Sequence, residues 1–272
     1  TEMCVCYKKA LAEEFLRCSN MQKIYQNKNF RNFDLTFYAE GEARKKMEAT
    51  LEYCKTYVRK FDKVSRNLLF LGAPGSGKTF LSCAIGTELI KTGHFVLYTP
   101  IQDMLDDFEK VRFGKGDADI ESYKECDLLI IDDFGAEFKN SFSESVLYNI
   151  INDRLNEKKP MIISTNFDED DIEENYHERL CSRLMYEFAK IQFAQVDIRR
   201  EKEQESKMSE VLICPVCGKP LKKTEKSFIC EKGHFFDIAK EGYVNLLTGN
   251  RAGGGDNPEM VAARRNFLGE DY

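Results

Sequence analysis

The 272 residues suffice for one large folded domain or two unequal ones, and with 42% hydrophobic and 32% charged residues the composition is that of an ordinary globular protein. No apolar run approaches membrane-spanning length and no secretory signal opens the chain, so no membrane contact is expected. A net charge of -6 argues against wrapping of nucleic acid by the whole surface, though not against a local basic groove.

In chain order, Cys4-Val5-Cys6 begins a segment suited to a helix through about Arg17. Two cysteines separated by one residue cannot complete a tetrahedral site alone. They are either the second half of a zinc module whose first half precedes Thr1, or two ordinary thiols. Cys18, Cys54, Cys83, Cys126 and Cys181 carry no ligand spacing and read as reduced thiols of a cytoplasmic protein. Residues 27–38, with Phe30, Phe33, Leu35, Phe37 and Tyr38, look like an aromatic-rich arm packed on the next domain. A helix from about Glu42 to Lys60 follows, with Met47, Leu51, Cys54 and Val58 at helical spacing. Such an aromatic stripe reads as core before it reads as an adenine clamp.

Asn67 to Leu71 is a buried strand running into Gly72-Ala73-Pro74-Gly75-Ser76-Gly77-Lys78-Thr79 and then a helix. The spacing G-x-x-x-x-G-K-T is met by Gly72, Gly77, Lys78 and Thr79. Glycines let the backbone bend around a phosphate with successive N–H groups turned inward, and the helix adds its first-turn N–H groups to the same anion site. Lys78 would reach the β- and γ-phosphates, and the Thr79 hydroxyl would ligate Mg²⁺. Nucleotide binding is the reading.

The helix continues to Lys91 and is closed by Thr92-Gly93. Phe95 to Thr99 is the next strand, and Pro100 turns the chain into a helix from about Ile101 to Val111, before Gly114 and Gly116 break the pattern. Asp127 to Asp133 is apolar without alternation, as in a central parallel strand covered on both faces, and ends in paired carboxylates. Asp132 should hold Mg²⁺, directly or through water, with Asp133 placed to orient or deprotonate the attacking water. Ser141 to Leu155 is helical, its buried stripe Val146, Leu147, Ile150 and Ile151. Pro160 to Asn166 is another core strand, and Asn166 is either a polar sensor of the γ-phosphate or attacking water, or a strand-end turn. A helical segment near Asp170 to Arg183 precedes a last strand, Lys190 to Val196. Arg179 and Arg183 share one helix face, as surface ion-pair partners or with one reaching a phosphate on a neighbouring subunit. Strands and helices alternate, so this part is α/β with a largely parallel sheet. Gly72, Asp132, Asp133 and Asn166 all fall at C-terminal strand ends, where ligands bind in such sheets.

Arg199 to Lys207 is charge-dense without an apolar stripe, and composition changes at Met208, so a boundary lies near Lys207. In the tail, Cys214-Pro215-Val216-Cys217 followed by Cys230 and His234 gives C-x₂-C-x₁₂-C-x₃-H. Two turn-borne ligand pairs make a closed tetrahedral Zn²⁺ site with no position for catalysis, and a module with little core gains much of its stability from the metal. Gly253-Gly254-Gly255 lies in a flexible stretch, and Glu259 to Leu268 suits a short helix.

The motifs Gly72 to Thr79, Leu129-Ile130-Ile131-Asp132-Asp133-Phe134-Gly135, Ser164-Thr165-Asn166, Glu178 to Leu184 and Asp197-Ile198-Arg199 resemble those of the AAA+ ATPases of the DnaC/DnaI helicase-loader family, with the transposition-helper ATPases called IstB as a close sister group. The resemblance covers about residues 1 to 205. It implies ATP and Mg²⁺ at Lys78 and Thr79, Asp132 and Asp133 as the Walker B pair, Asn166 as sensor 1, Arg183 as an arginine finger acting in trans with Arg179 beside it, and Arg199 as the sensor 2 arginine. It further implies self-association, single-stranded DNA binding and a replicative DNA helicase as partner, with Cys4 and Cys6 as the last ligands of an N-terminal zinc module.

Residues 208 to 268 resemble the N-terminal zinc domain of the bacterial 23S rRNA guanine-N1 methyltransferases of RlmA type. The quoted residues are Cys214 to Leu221, Asp237 to Leu247, Gly255-Asp256 and Met260 to Leu268. That implies an rRNA contact by the tail, with Lys222, Lys223, Arg264 and Arg265 as candidate phosphate contacts. Their alternative is a solvated surface. Methyl transfer belongs to a following domain, so none is expected here.

The expected fold class is therefore an α/β AAA+ P-loop NTPase with a central parallel sheet, plus a small C-terminal zinc-binding module. Its divisions are a truncated N-terminal region and linker helix over 1–60, the ATPase domain over 61–205 and the zinc module over 208–272. Met208 falls where the methyltransferase family starts and the chain opens on Thr1, so it reads as a truncated loader joined to the opening of a second protein. The leading function is an ATP-hydrolysing loader of the replicative helicase onto single-stranded DNA. A transposition helper and a non-hydrolysing nucleic-acid-binding adaptor compete with it.

Overall fold

The computed structural model describes residues 13–16, 18–21, 27–63, 66–198, 212–224, 226–239 and 244–246. The chain divides into two compact units, Thr1–Lys202 and Glu203–Tyr272. Cys4, Cys6, Arg199, the charged run to Lys207, the Gly253 stretch, Arg264, Arg265 and the segment Glu259 to Leu268 lie outside the described residues.

In the first unit residues 13–16 are helical, and a 3₁₀ turn at Phe30–Asn32 leads to α1 (Glu42–Arg59). It continues as β1 (Asn67–Leu71), α2 (Lys78–Lys91), β2 (Val96–Pro100), α3 (Ile101–Arg112), α4 (Glu121–Glu125) and β3 (Leu128–Phe134). After these come α5 (Ser141–Asn156), β4 (Met161–Thr165), α6 (Glu169–Asn175), α7 (Glu178–Glu187) and β5 (Phe188–Gln192). The sheet order is β2-β3-β4-β1-β5, with every pairing parallel. The apolar strand runs are buried on both faces, and side-chain alternation splits them between two cores. Leu68, Phe70, Ile130 and Ile162 join Met47, Cys54, Leu81 and Ile85 on one face. Leu69, Leu71, Ile131 and Ile163 join Met104, Leu147, Ile150 and Leu184 on the other. Full burial of one such side chain contributes roughly 1.5–3 kcal/mol, so packing rather than strand propensity holds this sheet.

Three local features differ from the sequence pattern. The segment expected as one helix from Asp170 to Arg183 is two. Tyr176 is extended (φ -129, ψ 156), its ring is buried, its hydroxyl donates to Glu137, and His177 caps α7 afresh. The last strand runs over Phe188–Gln192 rather than Lys190 to Val196, because five-residue β1 offers partners only from Asn67 to Leu71. The short α4 is clamped by fully buried Arg154, whose guanidinium donates to the carbonyls of Tyr123 (2.9 Å), Lys124 (3.0 Å), Cys126 (3.0 Å) and Pro160 (2.9 Å).

The second unit is a three-stranded antiparallel sheet, β6 (Leu221–Lys223), β7 (Ser227–Cys230) and β8 (Phe235–Asp237). Among the described residues its buried core is Cys214, Leu221, Phe228 and Cys230. Among the described residues no helix is long and apolar enough to cross a membrane.

Candidate functional site

The loop between β1 and α2 needs its glycines. Gly75 (φ +76) and Gly77 (φ +96) are left-handed, and α2 begins directly after Gly77. A Cβ at Gly77 would stand 2.8 Å from the Tyr38 hydroxyl and 3.1 Å from the Phe33 ring. At Gly75 it would stand 1.9 Å from an Asp197 carboxylate oxygen. The arm and the segment after β5 therefore press on the loop. Tyr38 Oη donates to the Ser76 carbonyl at 2.9 Å, and the Ile198 N–H donates to the Gly75 carbonyl at 3.1 Å. Lys78 is only 5% exposed, and its ammonium donates to the carbonyls of Gly72 (2.6 Å) and Ala73 (2.9 Å) and to Asn166 Oδ1 (2.8 Å). β1 and β4 are neighbours, Leu71 opposite Thr165, and this brings Asn166 to Lys78.

Asp132 is 2% exposed at the end of β3. Its Oδ1 accepts from Thr79 Oγ1 (3.0 Å) and from the Ser164 hydroxyl, and its Oδ2 accepts from Tyr98 Oη (2.7 Å). Burial first, then the Asp132 charge, pushes the Tyr98 phenol well above its ordinary range, so it remains a donor. Asp133 is exposed and left-handed (φ +57), where the β3–β4 register shifts between Ile131 and Phe134. An aspartate held there is backbone strain at a strand end, which turns its side chain away from that of Asp132. A cavity of about 450 Å³ is lined by Gly75 to Thr79, Asp133 and Asn166, and by Phe33 and Phe37 of the arm. Phe33 is also 8% exposed and packs in the core, so the aromatic stripe serves as core and as cavity wall together.

Arg183 does not line this cavity. Its guanidinium lies over the Tyr148 ring, 4.4 Å from the centroid. It donates from Nε (3.1 Å) and Nη2 (2.8 Å) to Asn152 Oδ1, from Nη2 to Tyr148 Oη (2.8 Å), and from Nη1 to the Arg179 carbonyl (3.0 Å). Arg179 is exposed on the same helix. Arg199 lies outside the described residues, although its neighbours Asp197 and Ile198 reach the loop.

These residues fit a Mg²⁺-nucleotide: a glycine-bearing loop at the start of a helix, one buried ammonium, and a hydroxyl that donates to a carboxylate. Motif spacing marks neither Tyr98, Tyr38, Tyr148 nor Asn152. The one available signal was polar atoms within otherwise apolar runs, as at Tyr98 and Ser164.

In the second unit, the ligand atoms of Cys214, Cys217, Cys230 and His234 all lie within 4.8 Å of one another. Cys217 and Cys230 sulfurs are 3.5 Å apart, and His234 Nδ1 is 3.6 Å from Cys214 Sγ and 3.3 Å from Cys230 Sγ. Four ligands around one zinc stand about 3.5–3.8 Å apart, so the donor set and spacing fit that ion. Lys222 and Lys223 are exposed on β6.

A family profile described as IstB-like ATP binding protein matches residues 9–201, and one described as RlmA, N-terminal matches residues 212–251. The replicative helicase loader DnaC of Escherichia coli (strain K12) is 26% identical over 169 residues, 61% of this chain and 66% of that protein. A Micromonospora griseorubida protein bearing the name 23S rRNA (guanine-N(1)-)-methyltransferase is 52% identical over 61 residues, 21% of each chain. The crystal structure of the DnaC helicase loader superposes with a TM-score of 0.55 at 20% identity, over 62% of this chain and 98% of that one, a likeness of fold. The chain thus spans about two thirds of the length of the loaders it matches.

Proposed function

The chain belongs to the IstB-like ATP binding protein family, and from that premise we propose that it hydrolyses ATP as a helicase-loader-type ATPase acting between subunits. The convergence of Lys78, Thr79, Asp133 and Asn166 on one cavity, with buried Asp132 behind Thr79, carries this reading. In it, the loop N–H groups and Lys78 bind the phosphates. Thr79 donates its hydroxyl hydrogen bond to Asp132, which would leave its lone pairs for a cation that would neutralise charge on the phosphate oxygens. Asp133, exposed to the cavity, orients or deprotonates the attacking water, and Asn166, tied to Lys78, senses its place. Arg183, presented away from its own cavity, reaches the phosphate of a neighbouring subunit, with Arg199 at the nucleotide of its own.

The ATPase domain is assigned to 61–205, with replicative helicase and single-stranded DNA as partners by likeness to the loaders. The module over 208–272 holds zinc through Cys214, Cys217, Cys230 and His234 and offers Lys222 and Lys223 to rRNA phosphates. The IstB-like profile supports a transposition helper as the second reading.

ATPase assays with and without single-stranded DNA and a replicative helicase test the first reading. Stimulation by both is expected; no hydrolysis under any condition refutes it. Arg183→Ala should bind ATP normally and hydrolyse it at least a hundredfold more slowly when assembled, with activity regained on mixing with Lys78→Ala protein. Normal hydrolysis by assembled Arg183→Ala alone removes the finger from the scheme.

A further inference from the structure

Three hydroxyls converge on buried Asp132, and only the one from Thr79 belongs to the phosphate loop. Each carboxylate oxygen offers two lone pairs. Thr79 and Ser164 take both on Oδ1, while Tyr98 takes one on Oδ2. An aspartate carboxylate rotates in a broad, nearly two-fold torsional well, so hydrogen bonds to Oδ1 alone leave its plane loosely set. Tyr98 is a rigid anchor for the other oxygen. It is 9% exposed, its ring packs in the core between the sheet and α2, its N–H donates to the Ser19 carbonyl at 3.1 Å, and it is registered opposite Ile130, two residues before Asp132.

We propose that Tyr98 is a positioning residue for the divalent cation of the nucleotide site: it fixes the Asp132 carboxylate so that Oδ1 keeps the Thr79 proton and the Thr79 lone pairs face the metal. This rests on the nucleotide reading above. Tyr98 does not line the cavity and acts through Asp132.

The test uses the full chain and its Tyr98→Phe variant, which keeps the ring and removes the hydroxyl. A fluorescent ATP analogue is titrated in EDTA and over a Mg²⁺ series, and thermal unfolding by circular dichroism is followed in parallel. The Mg²⁺ midpoint for tightened nucleotide binding should rise roughly tenfold in Tyr98→Phe, the worth of one hydrogen bond to a charged acceptor. Affinity in EDTA should stay within about twofold of wild type. An unchanged midpoint, an equal loss in EDTA, or a variant that no longer folds would each assign the hydroxyl to stability alone and overturn the proposal. A wild-type chain whose nucleotide binding ignores Mg²⁺ is a different failure: there the ATPase reading falls first and the role of Tyr98 with it.

Discussion

Gly77→Ala measures how firmly the aromatic arm grips the phosphate loop. Residue 77 sits at φ +96, and forcing a Cβ into left-handed backbone costs about 1–2 kcal/mol. The new methyl would also stand 2.8 Å from the Oη of fully buried Tyr38. Relief requires the tyrosine to leave the Ser76 carbonyl, giving up a hydrogen bond worth about 0.5–1.5 kcal/mol. The sum is about 1.5–3.5 kcal/mol, or a melting temperature lower by roughly 3–14 °C for a unit of this size. Unfolding followed by circular dichroism in Gly77→Ala, Tyr38→Phe and the double variant separates the two contributions. The double variant has no hydroxyl to meet the methyl, so it should recover about 1 kcal/mol relative to additivity, while the backbone cost and the 3.1 Å contact with Phe33 persist. Nucleotide affinity should fall with the loop geometry in both chains that carry Gly77→Ala. A single variant within about 0.5 kcal/mol of wild type, or strict additivity in the cycle, refutes the grip.

Lys78→Ala should weaken ATP binding by about a hundredfold or more, since charge-assisted bonds to phosphate are lost, as read by titration of a fluorescent analogue. Arg154→Ala strands four buried carbonyls and should lower stability by about 3–5 kcal/mol in urea unfolding, while the folded fraction still binds nucleotide. Purified protein should carry zinc by elemental analysis, and Cys217→Ser or a strong chelator should remove it and unfold the small sheet by NMR, leaving ATP binding in the first unit intact.

The sheet was legible because parallel strands buried on both faces must be apolar at every position, and Leu68 to Leu71, Leu128 to Ile131 and Met161 to Ile163 are. The phosphate loop was legible because its function fixes both residue type and spacing. What spacing does not encode is contact across strands. Tyr98 reaches Asp132 only because β2 lies beside β3, and Ser164 only because β4 lies on the other side. The break at Tyr176 was hidden for a similar reason: its cause is Glu137, thirty-nine residues earlier, which accepts the buried hydroxyl. The zinc ligands sit at the other extreme, since two short turns suffice to bring them together and the spacing shows both.

On the proposed reading of Arg183 as an intersubunit finger, its setting bears on how such a finger can be ready before a partner arrives. A free arginine carries about 2 kcal/mol of rotamer entropy, which engaging a phosphate would have to overcome. Here Asn152 and Tyr148, both on α5, already hold the guanidinium plane, and the Arg179 carbonyl, one turn earlier on the helix, accepts from Nη1. Much of the ordering is therefore done within the subunit, and what a neighbour's nucleotide must displace is a set of bonds to neutral acceptors. Phosphate oxygens, being charged, form the stronger bonds. On that reading, exchange is favoured when a neighbouring subunit's phosphate comes within reach. Tyr148→Phe and Asn152→Ala separate these effects. Each should leave nucleotide affinity unchanged, and lower hydrolysis most for Asn152→Ala, which removes the acceptor of Nε and one of the two acceptors of Nη2. Equal hydrolysis by wild type and both variants at saturating protein would mean that the cradle plays no part in the finger's readiness.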